Sequence, residues 1–187
     1  MTPETITTTL AALFGDAVQS NEPESWQIEQ GNLRLLVLLS EDGTWMRSLA
    51  SICPAQDAEP YFAQLLEDNF DRTLETRYAL YQGVLWAVFQ HSLAGLTVDD
   101  FKGAIARLSA LQRQGLSDSF SQLAETQIRQ IIRAAKQQGQ TLETTMQTLD
   151  RFYQEGVMGD LNQGTEGIEA VLGAWRYQLQ RLWNEEV

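Results

Sequence analysis

The spacing of apolar residues changes several times along the chain, and each change marks an element. Ile6, Leu10, Leu13, Phe14 and Ala17 recur at helical spacing, with Thr2 placed as an N-cap and Pro3 as the first helical residue. The Thr7-Thr8-Thr9 run lowers the helix propensity of this segment, because β-branched side chains lose rotamer freedom in a helix. Residues 20–24, which include Pro23, read as a polar loop. From Trp26 to Cys53 the pattern is that of strands. Trp26 and Ile28 alternate with polar residues, as in a half-buried strand. Leu33 to Leu39 is almost continuously apolar, as in a strand covered on both faces. Thr44 to Cys53 is a third strand, stopped by Pro54. The turns between them are Gln30-Gly31-Asn32 and Glu41-Asp42-Gly43.

Helical spacing returns at Ala58 to Thr73, where Tyr61, Phe62, Leu65, Leu66 and Phe70 are apolar and Asp57 stands as the cap. The stretch from Thr76 to Gly115 then organises the first part of the chain. Tyr78 and Leu80 alternate with Arg77 and Ala79, Gln82-Gly83 supplies a hairpin turn, and Val84 to Leu93 is rich in β-branched and aromatic residues. Thr97 sits three residues before Asp100, a capping-box arrangement with Asp in place of Glu. Val98, Phe101, Ile105, Leu108 and Leu111 form one helical face, and Gly115 stands where the helix should end.

This order, α-β-β-β-α-β-β-α over residues 1–115, predicts an α+β domain with an antiparallel five-stranded sheet packed with helices. A helical region over residues 116–187 follows. Phe120, Leu123, Ile128, Ile131, Ile132 and Ala135 make one amphipathic stripe, ending at Gly139 as a break or a soft spot. Leu142, Met146, Leu149, Phe152 and Tyr153 make a second. After a Gly-rich loop at 156–167, Ile168, Val171, Leu172, Trp175, Leu179, Leu182 and Trp183 make a third.

The element order and its internal patterns resemble the small acidic chaperones of type III secretion and the related YbjN-like domains. Three stretches carry the resemblance: Trp26-Gln27-Ile28 through the Glu41-Asp42-Gly43 turn; Tyr61 to Leu66; and Leu80 to Leu85 with Leu93-Ala94-Gly95-Leu96-Thr97 and the helix after it. The resemblance covers about residues 1–115, and the helical extension departs from it. It implies a cytoplasmic homodimer that holds an extended segment of another protein without catalysis or a cofactor. That family dimerises through its second helix and the neighbouring strand, which makes Phe62, Leu66, Phe70, Tyr78 and Leu80 candidates for an interface.

The net charge of −12 agrees with this picture, and it is uneven: residues 1–60 hold nine acids against Arg34 and Arg47. Such a balance argues against a sequence-independent grip on nucleic acid, which needs clustered Lys and Arg. No uncharged apolar run reaches membrane-spanning length, and the first twenty residues lack the basic and apolar regions of a signal peptide. The single cysteine, Cys53, allows no internal disulfide and points to a reducing compartment.

Candidate chemistry is sparse. His91, the only histidine, lies in a predicted strand; a hydrolase built on it would need a nucleophile and an orienting acid beside it. Asp99-Asp100 fits a helix N-terminus better than a catalytic carboxylate pair. Asp160 to Glu166 lacks the spacing of a calcium loop. No dinucleotide or phosphate-loop motif occurs. The expectation is a non-enzymatic, chaperone-like or adaptor protein with a protein partner, with a His91 hydrolase or an assembly scaffold as alternatives. Strand five is apolar on both faces, with Val84, Trp86 and Val88 on one and Leu85, Ala87 and Phe89 on the other. Its second face, with Trp86, requires a cover, which is either a partner copy or the C-terminal helices.

Overall fold

The computed structural model describes residues 1–21, 24–154, 173 and 176–186. The chain divides into two compact units, Met1–Phe120 and Ser121–Val187. In the first, the order is α1 (Pro3–Phe14), β1 (Val18–Asn21), β2 (Ser25–Gln30), β3 (Leu33–Leu39), β4 (Trp45–Pro54), α2 (Ala55–Ala58), α3 (Phe62–Asp71), β5 (Thr76–Tyr81), β6 (Val84–Ser92) and α4 (Val98–Gln114). The strands form one antiparallel sheet in the order β1-β2-β3-β4-β6-β5. The α+β class and the antiparallel sheet packed with helices are as the pattern predicts.

The sheet has six strands rather than five, because Val18–Asn21 adds an edge beside β2. Val-Gln-Ser-Asn has one β-former and no alternation to betray it. Backbone pairing of Val18 with Ile28 and Gln19 with Gln27 holds it in place. The first helix accordingly stops at Phe14, where Gly15 adopts φ +56 and returns its N–H to the Ala11 carbonyl. Thr2 is the N-cap and Pro3 the first helical residue, as expected. The threonine run is tolerated because Thr7, Thr8 and Thr9 each donate a hydroxyl to the carbonyl four residues back. The helix expected over Ala58 to Thr73 is instead α3, which starts only at Phe62 and ends at Asp71; before it come a 3₁₀ turn over Glu59–Tyr61 that contains Pro60 and the one-turn α2. Asp57 therefore lies inside α2 and caps nothing.

One face of the sheet carries α1 over β1 and β2, α4 over β3 to β6, and α3 beside β5. Between them lie Ile6, Leu10, Ile28, Leu35, Val37, Met46, Phe89, Phe101, Ile105 and Leu108, each at most 1 % exposed. A ring such as Phe89 or Phe101 buried this fully contributes about 1.5–3 kcal/mol of transfer free energy. Reciprocal bonds start α4: Asp100 N–H donates to Thr97 Oγ1 at 3.1 Å, and that hydroxyl donates to Asp100 Oδ2 at 2.6 Å. Gly115, at φ +58, ends it.

Helices α5 (Ser117–Gln137) and α6 (Leu142–Gln154) follow, with Gly139 at φ +69 separating them as a true break. Within the second unit, residues 176–183 are helical, and Ile128, Ile132, Leu179 and Leu182 form its core. Glu186 accepts from Arg129 at 2.8 Å and from Arg133 at 2.6 Å. Of the third predicted stripe, Ile168, Val171, Leu172 and Trp175 lie outside the described residues, as do the loop at 156–167 and Asp160 to Glu166.

Candidate functional site

The register of the sheet sorts the residues singled out above. Thr76, Tyr78 and Leu80 stand opposite Phe89, Ala87 and Leu85 on the helix-covered face. Arg77, Ala79 and Tyr81 stand opposite Val88, Trp86 and Val84 on the other face. Trp86 therefore does not share a surface with Tyr78 and Leu80. Its indole N–H donates to the Tyr81 carbonyl at 3.2 Å, and it is half-buried.

The remaining five candidates gather where α3 lies against β5. Leu65 points into the core and is 3 % exposed, whereas Leu66 is 69 % and Phe70 90 % exposed. Tyr78 is buried and forms part of the floor; Leu80, one residue pair nearer the hairpin tip, is half open. Phe62, Leu65, Leu66, Tyr78, Leu80 and Leu85 line a groove of about 240 Å³. Leu74, on the connection from α3 to β5, and Tyr81 are also exposed. A cluster of large apolar side chains in solvent is the feature that distinguishes a binding surface from scattered surface leucines. The larger cleft between α1 and α4, about 490 Å³, is lined by Gln30, Asn32, Ser109 and Arg113 as well as by apolar groups.

Polar contacts fix this corner. Asn69, on the sheet-facing side of α3, accepts from Tyr78 N–H at 2.7 Å and donates to the Tyr78 carbonyl at 3.1 Å. Arg72 donates to Asp68 at 2.9 Å and to Asp118 at 3.2 Å, tying the end of α3 to the first turn of α5. The Asp68 bond holds the Arg72 guanidinium above its ordinary pKa. Burial pushes the Tyr78 phenol up, and the Asp68 charge adds to this. The phenol therefore stays neutral at physiological pH, and the groove floor carries no charge of its own.

The other chemical candidates are held in structural contacts. His91 Nδ1 lies 2.7 Å from the Ser92 carbonyl, and the ring stacks on Phe89 with centroids 5.9 Å apart. A ring nitrogen on a backbone carbonyl lacks the orienting carboxylate of a catalytic pair. Cys53 is half-buried beside a bulge in β4; burial, then Asp57, raises its thiol pKa, which disfavours the reactive thiolate. Asp99 and Asp100 sit in the first turn of α4, where Asp100 serves the cap. No group of three or more His, Cys, Asp or Glu side chains suited to a metal occurs among the described residues, and no described helix is long and apolar enough to cross a membrane.

No family model and no curated protein matches the chain. Among solved structures, the chain is similar in fold to chains of several complexes, three of which illustrate the likeness. One is the heterodimeric ExoU–SpcU complex from the type III secretion system of Pseudomonas aeruginosa (18 % identity, 60 % of this chain and 95 % of that one, TM-score 0.48). Another is the Yersinia pestis type III secretion chaperone SycH with a fragment of YscM2 (10 %, 60 % and 98 %, TM-score 0.47). The third is the HopA1–SchA chaperone–effector complex (14 %, 60 % and 94 %, TM-score 0.47).

Proposed function

We propose that this chain is a cytoplasmic, non-enzymatic protein-binding protein, chaperone-like or adaptor in kind, that works as a homodimer built on the α3–β5 face. The observation that carries the reading is a knob and a hole on the same face. Phe70 stands 90 % exposed beside the 240 Å³ groove that Phe62, Leu66 and Leu80 border. A two-fold axis through such a face lets each copy place its Phe70 against the groove of the other. That is the self-complementarity an isologous dimer requires. Leu66 and Leu80 would be buried in the same step. The acidic net charge opposes this only weakly, since exposed charges farther apart than about 8 Å are largely screened at physiological salt.

The partner held by the dimer is a segment of another protein, with neutral or basic character favoured by the −12 charge of each chain. Sedimentation equilibrium of the full chain tests the first step. A reversible dimer is expected, and Leu66→Glu, which puts a charge in the centre of the face, should convert it to a folded monomer. A wild-type chain that stays monomeric at high micromolar concentration overturns the reading.

A further inference from the structure

An edge strand of an antiparallel sheet turns every second N–H and C=O away from its neighbour and so offers a template for another strand. Along β5 the outward residues are Thr76, Tyr78 and Leu80, because Tyr81 and Val84 close the two-residue hairpin as the bonded pair. The chain itself occupies half of these positions, including both at the centre of the strand. Thr76 N–H donates to the Thr73 carbonyl at 3.1 Å. Both outward groups of Tyr78 go to Asn69, the N–H to Oδ1 and the carbonyl to Nδ2. A carboxamide has an acceptor and a donor side by side, as a peptide group does, so it can stand where the next strand's backbone would be. Thr73 Oγ1, 3.5 Å from Asn69 Oδ1, keeps the amide in that sense. The Thr76 carbonyl and, at the hairpin end, both outward groups of Leu80 retain no partner among the described residues.

We propose that Asn69 is a plug that closes β5 to strand addition, so that a second copy meets this edge through the side chains of α3 and does not lengthen the sheet. The second clause rests on the dimer reading above; the plug itself does not. The consequence is a division of labour within one corner. Leu66, Phe70 and Leu80 attract a partner, and Asn69 decides that the contact is made by side chains, not by backbone.

The test uses the full chain and Asn69→Ala. Hydrogen exchange of the Tyr78 amide should be slow in the wild type and roughly tenfold faster in the variant, the size of one lost hydrogen bond. The variant should also form assemblies larger than those of the wild type as concentration rises. Adding Leu80→Pro should reverse this, since proline removes an outward N–H and leaves the β5–β6 ladder intact. An unchanged Tyr78 exchange rate overturns the proposal, and so does an assembly profile identical to the wild type. Should circular dichroism show Asn69→Ala to be misfolded, Asn69→Asp replaces it: the size and the acceptor stay, the donor to the Tyr78 carbonyl is lost, and the same assembly comparison decides. A monomeric wild type would remove the dimer, yet the exchange measurement would still decide the plug.

Discussion

Truncating Phe70 separates what this side chain does for its own fold from what it does between copies. The ring is 90 % exposed, so Phe70→Ala removes almost no contact inside one chain. Surface changes of that kind stay within about 0.5 kcal/mol of the parent stability. In the proposed dimer the same ring leaves water, and full burial of a phenylalanine side chain is worth about 1.5–3 kcal/mol. Two-fold symmetry counts it twice, so the dimer should weaken by about 3–6 kcal/mol, or two to four powers of ten in Kd. Sedimentation equilibrium gives the Kd, and a thermal melt of protein diluted far below it gives the stability of the single chain. An unchanged Kd refutes the placement of Phe70 at the interface. A melting temperature several degrees lower in the dilute variant refutes it differently, by showing that the ring packs in its own core.

Three further outcomes are expected. Ser48 is fully buried opposite Val37 and Phe89, and its hydroxyl has no partner among the described residues; an unmet buried polar group costs about 1–3 kcal/mol, so Ser48→Ala should leave the urea midpoint unchanged or raise stability by up to about 1 kcal/mol, and a clear loss would contradict this. Leu74 holds φ +52 with its side chain largely exposed; a non-glycine residue there costs about 1–2 kcal/mol, partly offset by the extra freedom glycine gives the unfolded chain, so Leu74→Gly should stabilise by about 0.5–1 kcal/mol in the same assay. Hydrogen bonds from Arg133 and then Arg129 hold the Glu186 carboxyl below the ordinary value of 4.5, and Arg129 does the same for Glu125. Their folded pKa values lie below the unfolded ones, so this stabilisation is fully present above pH 4.5 and is lost as pH falls through the folded values. Amide exchange in α5 should therefore lose protection in acid and less so in Glu186→Gln; the same acid response in both would count against the pairing.

Much of the fold was legible because several local signals agree. Gln82-Gly83 marks a hairpin, and both residues do adopt positive φ, at 49° and 74°. Thr97 and Gly115 bracket α4 because capping chemistry is local, and a five-residue window contains all of it. β1 was not legible, since a four-residue edge strand is defined by the neighbour that binds its backbone. The break at Pro60 was open to reading, but the helical spacing of Tyr61, Phe62, Leu65, Leu66 and Phe70, all beyond it, suggested one helix begun at Ala58.

The candidate site was legible only as a set of residues. Leu65 and Leu66 count equally as apolar positions in a sequence, yet one is core and the other is surface. Tyr78 and Leu80 share a face, and only the extent of α3 decides that the first is covered and the second is not. A ten-residue helix cannot shield the whole of β5, and its placement along the strand is set by the bonds from Asn69 to Tyr78. The sequence does hold a trace of this. Phe62, Leu65 and Asn69 fall at i, i+3 and i+7, so the asparagine occupies a position on the stripe that faces the sheet. A polar residue there lowers the amphipathicity of the helix and is costly unless something satisfies both ends of its amide. An unpaired edge strand supplies a carbonyl and an N–H at the right spacing. One substitution in the apolar stripe thus both seats α3 and covers the backbone of β5, while Leu66 and Phe70, one residue further round the helix, are left facing solvent.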